Sequence, residues 1–337
     1  MLLRAAHHLS RFGHRVRLYF TDTDHTLSEL RQLLHRHFFP MDCPIYIYRG
    51  TMKPADVVFA TYWKTVDVAL RHADVCKNLF YFVQDFEPYF FAMGSDYIQA
   101  ENTYRQGLYG ITAGPWCAHF IRNQFGGEAD HFVFPIEGVY SPGDRSKRNK
   151  NLVFFAKPEM PRRCYEIGVQ VLAEVHKLRP DVELILFGSR EVDAANLPFP
   201  ATCRGVLSVS ELAQMYRDAD VGLAFSPTNP SAVPYEMMAC GLPVVDMARP
   251  HAEENYGGRF DLVKLANPVP ARMAEEIVAL LDDSDERARR SKSGLEFVSE
   301  NPTEEDMGRR IETLVVERVR KMSAARQGAE THSRVPA

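Results

Sequence analysis

Short apolar runs recur along the first part of the chain, at 16–20 (VRLYF), 57–60 (VVFA), 79–83 (LFYFV) and 132–134 (FVF), each set off from the next by a helix-length or loop segment. Runs of this length without polar alternation are what strands buried on both faces require, so they predict a parallel sheet covered by helices. A second series follows at 152–156 (LVFFA), 184–187 (LILF), 221–225 (VGLAF), 244–246 (VVD) and 262–265 (LVKL). Between the two series lies 141–150 (SPGDRSKRNK), polar, turn-rich and free of apolar residues, which reads as an interdomain linker. The pattern therefore predicts an α/β chain of two doubly wound, Rossmann-like domains, 1–140 and 151–300, facing each other across a cleft. Asn301-Pro302-Thr303 starts a late helix over 301–322, charged on most faces. Residues 323–337 are small, polar and aperiodic and read as a disordered tail.

The stretch with the most chemistry is 226–246, SPTNPSAVPYEMMACGLPVVD. Pro227, Pro230 and Pro234 keep the loop before the helix extended, Pro234 suits a first helical turn, and Gly241-Leu242-Pro243 stops the helix at Cys240. Strand, rigid loop and helix N-terminus together offer free backbone N–H groups to an anion, and Glu236 in the first turn reaches hydroxyls beside it. A phosphate carrying a ribose fits that description. The plainer alternative is a first-turn carboxylate that only compensates the helix dipole.

PYEMMACGLPVV resembles the C-terminal-domain signature of the retaining, family 4 glycosyltransferases of GT-B fold, in which a Glu opening this helix binds the donor ribose. That family has a second Glu eight residues earlier, where this chain has Thr228, so one carboxylate expected near the donor sugar is missing. Two further blocks, 78–116 and 154–172, resemble the WsaF-type rhamnosyltransferases of bacterial surface-polysaccharide assembly, and the likeness runs over most of residues 1–315. The resemblance implies a GT-B fold, a nucleotide diphosphate sugar as donor (dTDP-rhamnose among the candidates), a saccharide or lipid-linked saccharide as acceptor, and a late helix that crosses back to the first domain. It also marks a departure. Members open with a strand and a glycine loop, whereas this sequence begins directly with MLLRAAHHLSRFGHRVRLYF. Loss of a central strand would expose its neighbours' edges, so a strand encoded upstream of Met1 is expected.

Further candidates follow from position. Lys157 and Arg162 lie just after the strand 152–156, with Arg163 beside them, and two cations there can clamp a diphosphate and stabilise the leaving group without a metal or other cofactor. The resembled family has an Arg and a Lys in similar places; here the order is reversed, and only Arg offers a planar fork. The reading of 162–163 is that they open the helix that follows. Gly188 ends a strand, and Gly205-Val206 resembles the segment that faces the donor base. Sugar contacts from backbone amides of 231–235 would bring in Ser231, Pro234 and Tyr235. Gln84, Asp85, Glu87 and Tyr89 follow the strand 79–83 and face the acceptor side, with Asp85 or Glu87 orienting or deprotonating the acceptor hydroxyl. The alternative is that one of these carboxylates caps the next element while the neighbouring aromatics pack.

Composition narrows the class. With 337 residues, 45% of them apolar, and a net charge of −4, the chain suits two cored domains and lacks the basic surface of a nucleic-acid binder. No apolar run approaches the roughly 20 residues that span a bilayer, and no signal peptide opens the sequence, which predicts a cytoplasmic protein. The first helix is amphipathic, with Arg4 and Arg11 beside Leu2, Leu3, Leu9 and Phe12; its apolar face serves the core or, alternatively, a membrane surface bearing a lipid-linked acceptor. Six cysteines lie without metal or disulfide spacing and read as reduced and buried. Half of the twelve histidines stand in the first 37 residues, in no arrangement suited to a metal. The reading is a retaining glycosyltransferase moving rhamnose or another deoxyhexose; its rivals are a nucleotide-sugar epimerase and a non-catalytic saccharide-binding or partner protein of the same fold.

Overall fold

The computed structural model describes residues 1–37, 41, 43–143 and 150–332. Most of the linker expected at 141–150 lies outside the described residues. The first domain runs α1 (Leu2–Arg11), β1 (Leu18–Phe20), α2 (Leu27–His37), β2 (Ile45–Ile47), β3 (Ala55–Ala60), α3 (Trp63–Leu70), β4 (Cys76–Val83), α4 (Ser95–Thr103), β5 (Tyr109–Ala113), α5 (Pro115–Phe125) and β6 (Ala129–Phe132). The second runs β7 (Asn151–Phe155), α6 (Tyr165–Leu178), β8 (Glu183–Phe187), β9 (Thr202–Cys203), α7 (Val209–Asp218), β10 (Val221–Leu223), α8 (Val233–Ala239), β11 (Val244–Met247), α9 (Pro250–Asn255), β12 (Val263–Ala266), α10 (Pro270–Asp282), α11 (Ser284–Ser299) and α12 (Glu304–His332).

All strand pairs are parallel. The second sheet has the order β12-β11-β10-β7-β8-β9, and the first domain holds β3-β4-β5-β6 with a separate pair β1-β2. Parallel strands buried on both faces explain the unbroken apolar runs: Leu152, Val153 and Phe154 of β7 are wholly buried, as is Phe225 just beyond β10. Truncating a buried aromatic such as Phe154 to Ala costs roughly 3–5 kcal/mol.

Among the described residues β1 pairs only with β2, and β3 only with β4. Their free edges border a groove of about 1000 Å³, which is also lined by Leu2, Ala5, Ala6 and Leu9 of α1 and by Ile311 and Val315 of α12. Part of the apolar face of α1 also packs inside the protein, with Ala5 in the core and Leu2 and Leu9 against it. It packs on α12 so closely that a Cβ at Gly308 would come within 2.6 Å of the His8 side chain, and Arg4 reaches Glu304 at 2.7 Å. Arg318 of α12 forks onto Glu128 at the start of β6, with one N–O distance of 2.6 Å, and Asn301 donates to the Phe134 carbonyl at 3.1 Å.

Several elements differ from expectation, among them β9, which no apolar run marks, and β6, which ends at Phe132 where the run 132–134 begins. β2 and β5 were not foreseen, because one is three residues long and the other carries Gly110 and Thr112 among its apolar positions. α12 continues through 323–332, where a tail is expected; Ala324, Ala325 and Arg326 are strong helix formers and extend a helix already nucleated by packing on α1. Residues 333–337 lie outside the described residues. No helix among the described residues is long and apolar enough to cross a membrane.

Candidate functional site

The strand order of the second sheet reverses between β7 and β10. In doubly wound sheets ligands bind outside the carboxyl ends of the strands at such a point. Here it is bounded by 156–163 after β7 and by 224–232 after β10, and the ends of β4 and β5 from the first domain come against it.

On the β7 side, Lys157 donates to the Gly188 carbonyl at 2.9 Å and pairs with Glu159. Gly188 has φ +107°, and a Cβ there would meet the Phe155 ring at 2.8 Å, so only glycine fits both the backbone and the space. Its amide donates to the Gly205 carbonyl at 2.7 Å. Lys157, Gly188 and Gly205 therefore form one cluster, with Val206 exposed next to it. Arg162 and Arg163 do not open α6. They lie on a separate 3-10 turn, Pro161–Arg163, and Cys164 with φ 50° breaks the chain before α6 begins. Pro161 sets that turn, and the left-handed residue prevents it from merging with the helix.

The two arginines part there. The Arg162 guanidinium lies 4.2 Å from the Phe90 ring centroid and its Nε is 3.5 Å from Asp85, so first-domain groups hold it on two sides. Arg163 is buried and points at the Ser226 hydroxyl (3.5 Å) and the Asn229 carbonyl (3.4 Å). Its guanidinium braces loop 226–229 from inside.

That loop is also fixed by residues that spacing did not reveal. Asp246, fully buried at the end of β11, accepts from the Ser226 amide at 2.7 Å and the Met247 amide at 2.7 Å, and burial pushes its carboxyl up to about 6. His251 Nε2 lies 2.9 Å from the Ser226 carbonyl. Asn229 crosses to the first domain and donates to the carbonyls of Gln84 (2.9 Å) and Ala113 (2.7 Å). The only signals in the sequence were the apolar strand that ends in Asp246 and the Thr-Asn-Pro turn.

Asp85 is buried at this contact. It accepts from the Thr228 hydroxyl at 2.9 Å and the Asn229 amide at 3.0 Å. Burial raises its carboxyl above the ordinary range, while the Asn229 amide, the Thr228 hydroxyl and the two arginines work against that rise. Glu87 does not face the cleft. It is buried inside the first domain, accepting from the Trp63 amide (2.6 Å) and the Tyr81 hydroxyl (2.8 Å), and burial pushes it up to about 7. Its carboxylate serves the start of α3, an element that precedes β4, and not the element that follows it. Tyr89 is 40% exposed, packs edge-on against Phe86 and stacks on Trp116.

Glu236 stands on the first turn of the seven-residue α8, which has Pro234 at its start. With Ala232 it lines a cavity of about 480 Å³ together with Met1, Arg4, Gln84, Pro135 and Glu137 of the first domain. Burial first, and then the charge of Glu137, push its carboxyl up to about 7 against the Tyr140 hydroxyl and Arg4. Neither Lys157 nor Arg162 lines this cavity. The Ser231 hydroxyl is buried without a hydrogen-bond partner. Tyr235 is a core residue, its ring against Phe134 and Tyr256, so only its backbone is available to a ligand. Asp-x-Asp spacing occurs at Asp22/Asp24, Asp218/Asp220 and Asp283/Asp285; all are exposed except Asp220, which is buried and accepts from the Asn151 amide. Among the described residues no group of three or more His, Cys, Asp or Glu is arranged to hold a metal ion.

The model of the WsaF C-terminal domain matches residues 150–277, and that of the WsaF N-terminal domain matches 47–113, together more than half of the chain. The chain belongs to the WsaF family. This WsaF-family chain is also 30% identical over 270 residues to the O-antigen biosynthesis protein RfbC of Myxococcus xanthus, which covers 77% of the chain and 21% of that protein. It thus spans about a fifth of the length of that curated relative. Among solved structures, Anabaena Alr3699/HepE in complex with UDP and glucose has a TM-score of 0.70 at 16% identity, covering 93% of this chain and 95% of that one. Sucrose-phosphate synthase from Thermosynechococcus elongatus has 0.67 at 15%, covering 96% and 93%. These likenesses establish the GT-B fold for the WsaF-family chain.

Proposed function

We propose that this chain is a glycosyltransferase of surface-polysaccharide assembly that moves a sugar, rhamnose or another deoxyhexose, from a nucleotide diphosphate to a saccharide or lipid-linked saccharide acceptor, with retention. The observation that carries the reading is Glu236, a half-buried carboxylate on the first turn of α8, lining an interdomain cavity together with Gln84 of the first domain. A carboxylate so placed suits the vicinal hydroxyls of a ribose, each donating a charge-assisted hydrogen bond. Lys157 and Arg162, at the end of β7, supply positive charge for the diphosphate. Lys157 pairs with Glu159 and Arg162 lies 3.5 Å from Asp85, and a diphosphate would add to these contacts. The unpartnered hydroxyl of Ser231 is a further polar group in the same loop as Glu236. Membership of the WsaF family and the similarity to RfbC support the polysaccharide setting. The HepE complex with UDP and glucose shows that a protein of this fold takes such a ligand.

On this reading the leaving diphosphate, held by Lys157 and Arg162, accepts the proton of the incoming hydroxyl on the same face of the sugar, and no separate base is required. With Glu87 turned inward and Asp85 engaged with the second domain, the acceptor side is formed by Gln84 and the ring of Tyr89. Incubating the protein with UDP-, dTDP- and GDP-sugars and following release of the free nucleotide tests the activity. Release from one base and sugar, accelerated by a saccharide acceptor, is the expected result.

A further inference from the structure

Asp85 sits between β4 and the 3-10 turn Glu87–Phe90, in the first domain, yet most of its partners belong to the second. Its Oδ1 accepts from its own neighbour's amide, that of Phe86, at 2.9 Å and from Asn229 at 3.0 Å; its Oδ2 accepts from Thr228 at 2.9 Å and lies 3.5 Å from Arg162. The contact is reciprocal. Asn229 returns two hydrogen bonds to first-domain carbonyls, those of Gln84 and Ala113; Gly114, next to Ala113, has φ +83°, and a Cβ there would crowd the Asn255 amide oxygen at 3.1 Å.

The chemistry of position 228 belongs to this contact. A hydroxyl donates to a carboxylate, whereas a second carboxylate at that position would face Asp85 in a buried setting and be strongly disfavoured. Thr228 and Asp85 therefore form one unit, in which the first domain delivers the acid to the second domain's loop across the cleft. Opening the cleft would remove from loop 226–229 both its hydrogen-bond acceptor and the groups that hold Arg162.

We propose that Asp85 is a positioning residue that holds loop 226–229 and the Arg162 guanidinium in their working arrangement, so that the donor site is complete only while the two domains are closed. The inference rests on the donor-site reading given above. It makes domain closure and donor-loop order a single event, and it assigns to Thr228 the task of receiving Asp85.

The test uses the full chain as wild type and as Asp85→Ala, Thr228→Val, Thr228→Ser, Arg162→Ala and Asp85→Ala/Arg162→Ala, with UDP and dTDP as probes in calorimetric titrations and hydrogen–deuterium exchange across 226–231 and 113–116. Asp85→Ala and Thr228→Val are expected to raise exchange in both segments and to weaken nucleotide binding about tenfold. Thr228→Ser should keep both properties near wild type, and the double variant should bind no more weakly than Arg162→Ala. Unchanged exchange at 226–231 overturns the proposal. So does a lowered melting temperature with unchanged nucleotide affinity, the mark of a merely structural contact, and so do fully additive effects of Asp85 and Arg162. Variants that bind as well as a binding-competent wild type overturn this inference alone, whereas a wild type that binds neither nucleotide overturns the donor-site reading and this inference with it.

Discussion

Glu137 of the first domain and Glu236 of the second face the same cavity, and the charge of Glu137 adds to burial in pushing the Glu236 carboxyl up to about 7. A group that must be ionised to accept ribose hydroxyls therefore titrates in the physiological range. Nucleoside diphosphate affinity should rise between pH 6 and pH 8, and the difference in affinity between wild type and Glu236→Gln should grow over the same interval. Because the nucleotide's own titration is common to both proteins, that difference isolates Glu236. Glu137→Gln should move the midpoint to lower pH. Calorimetry at five pH values checks both shifts.

The same elevation acts on stability. A carboxyl that ionises at about 7 when folded, against about 4.5 when unfolded, lets the unfolded chain release its proton first, so stability falls as pH rises from about 4.5 through 7. Glu236→Gln removes this penalty. Its gain in melting temperature over wild type should be larger at pH 8 than at pH 5.5; an equal change at both would mean that the carboxyl titrates normally.

Lys157 and Arg162, if they hold one leaving diphosphate, act in the transition state more than on the acceptor. Replacing either with Ala should lower kcat by more than it raises the acceptor KM, and the two losses should combine to less than their sum in free energy. Because side-chain cations balance the charge, transfer should survive EDTA. Loss of activity in EDTA, restored by magnesium, would contradict this account of the diphosphate site.

Gly188→Ala places a side chain at φ +107° and against the Phe155 ring, and it disturbs the carbonyl to which Lys157 donates. A loss of roughly 1–3 kcal/mol in stability is expected from the backbone conformation. Denaturant unfolding measures it. Gly205→Ala, where the nearest atom to an added Cβ is 4.0 Å away, should bear only its backbone strain at φ +60° and cost less.

The division between what the sequence disclosed and what it hid follows contact distance along the chain. Apolar runs that fill both faces of a parallel sheet are local, so β3, β4, β7, β8, β10, β11 and β12 were legible, as was the placing of Pro234 and Glu236 on α8. Short or interrupted strands such as β2 and β5 carry too few apolar residues to stand out. Site partnerships are non-local: Asp85 meets Thr228 from 143 positions away, and Arg163 meets Ser226 from 63. No spacing rule links such residues. For this reason Glu87, two residues past Asp85, reads from the sequence as cleft-facing, whereas the turn after β4 directs it inward to the Trp63 amide.

The central claim is that Glu236 holds the ribose of a nucleotide donor. Titrating wild type and Glu236→Gln with the diphosphate of whichever base the wild type prefers, at pH 8, tests it most directly. The account predicts a loss of roughly 1–3 kcal/mol in binding, the cost of removing a charged hydrogen-bond acceptor. Equal affinity in two equally folded proteins would contradict it and leave Glu236 as a carboxylate that only compensates the end of α8.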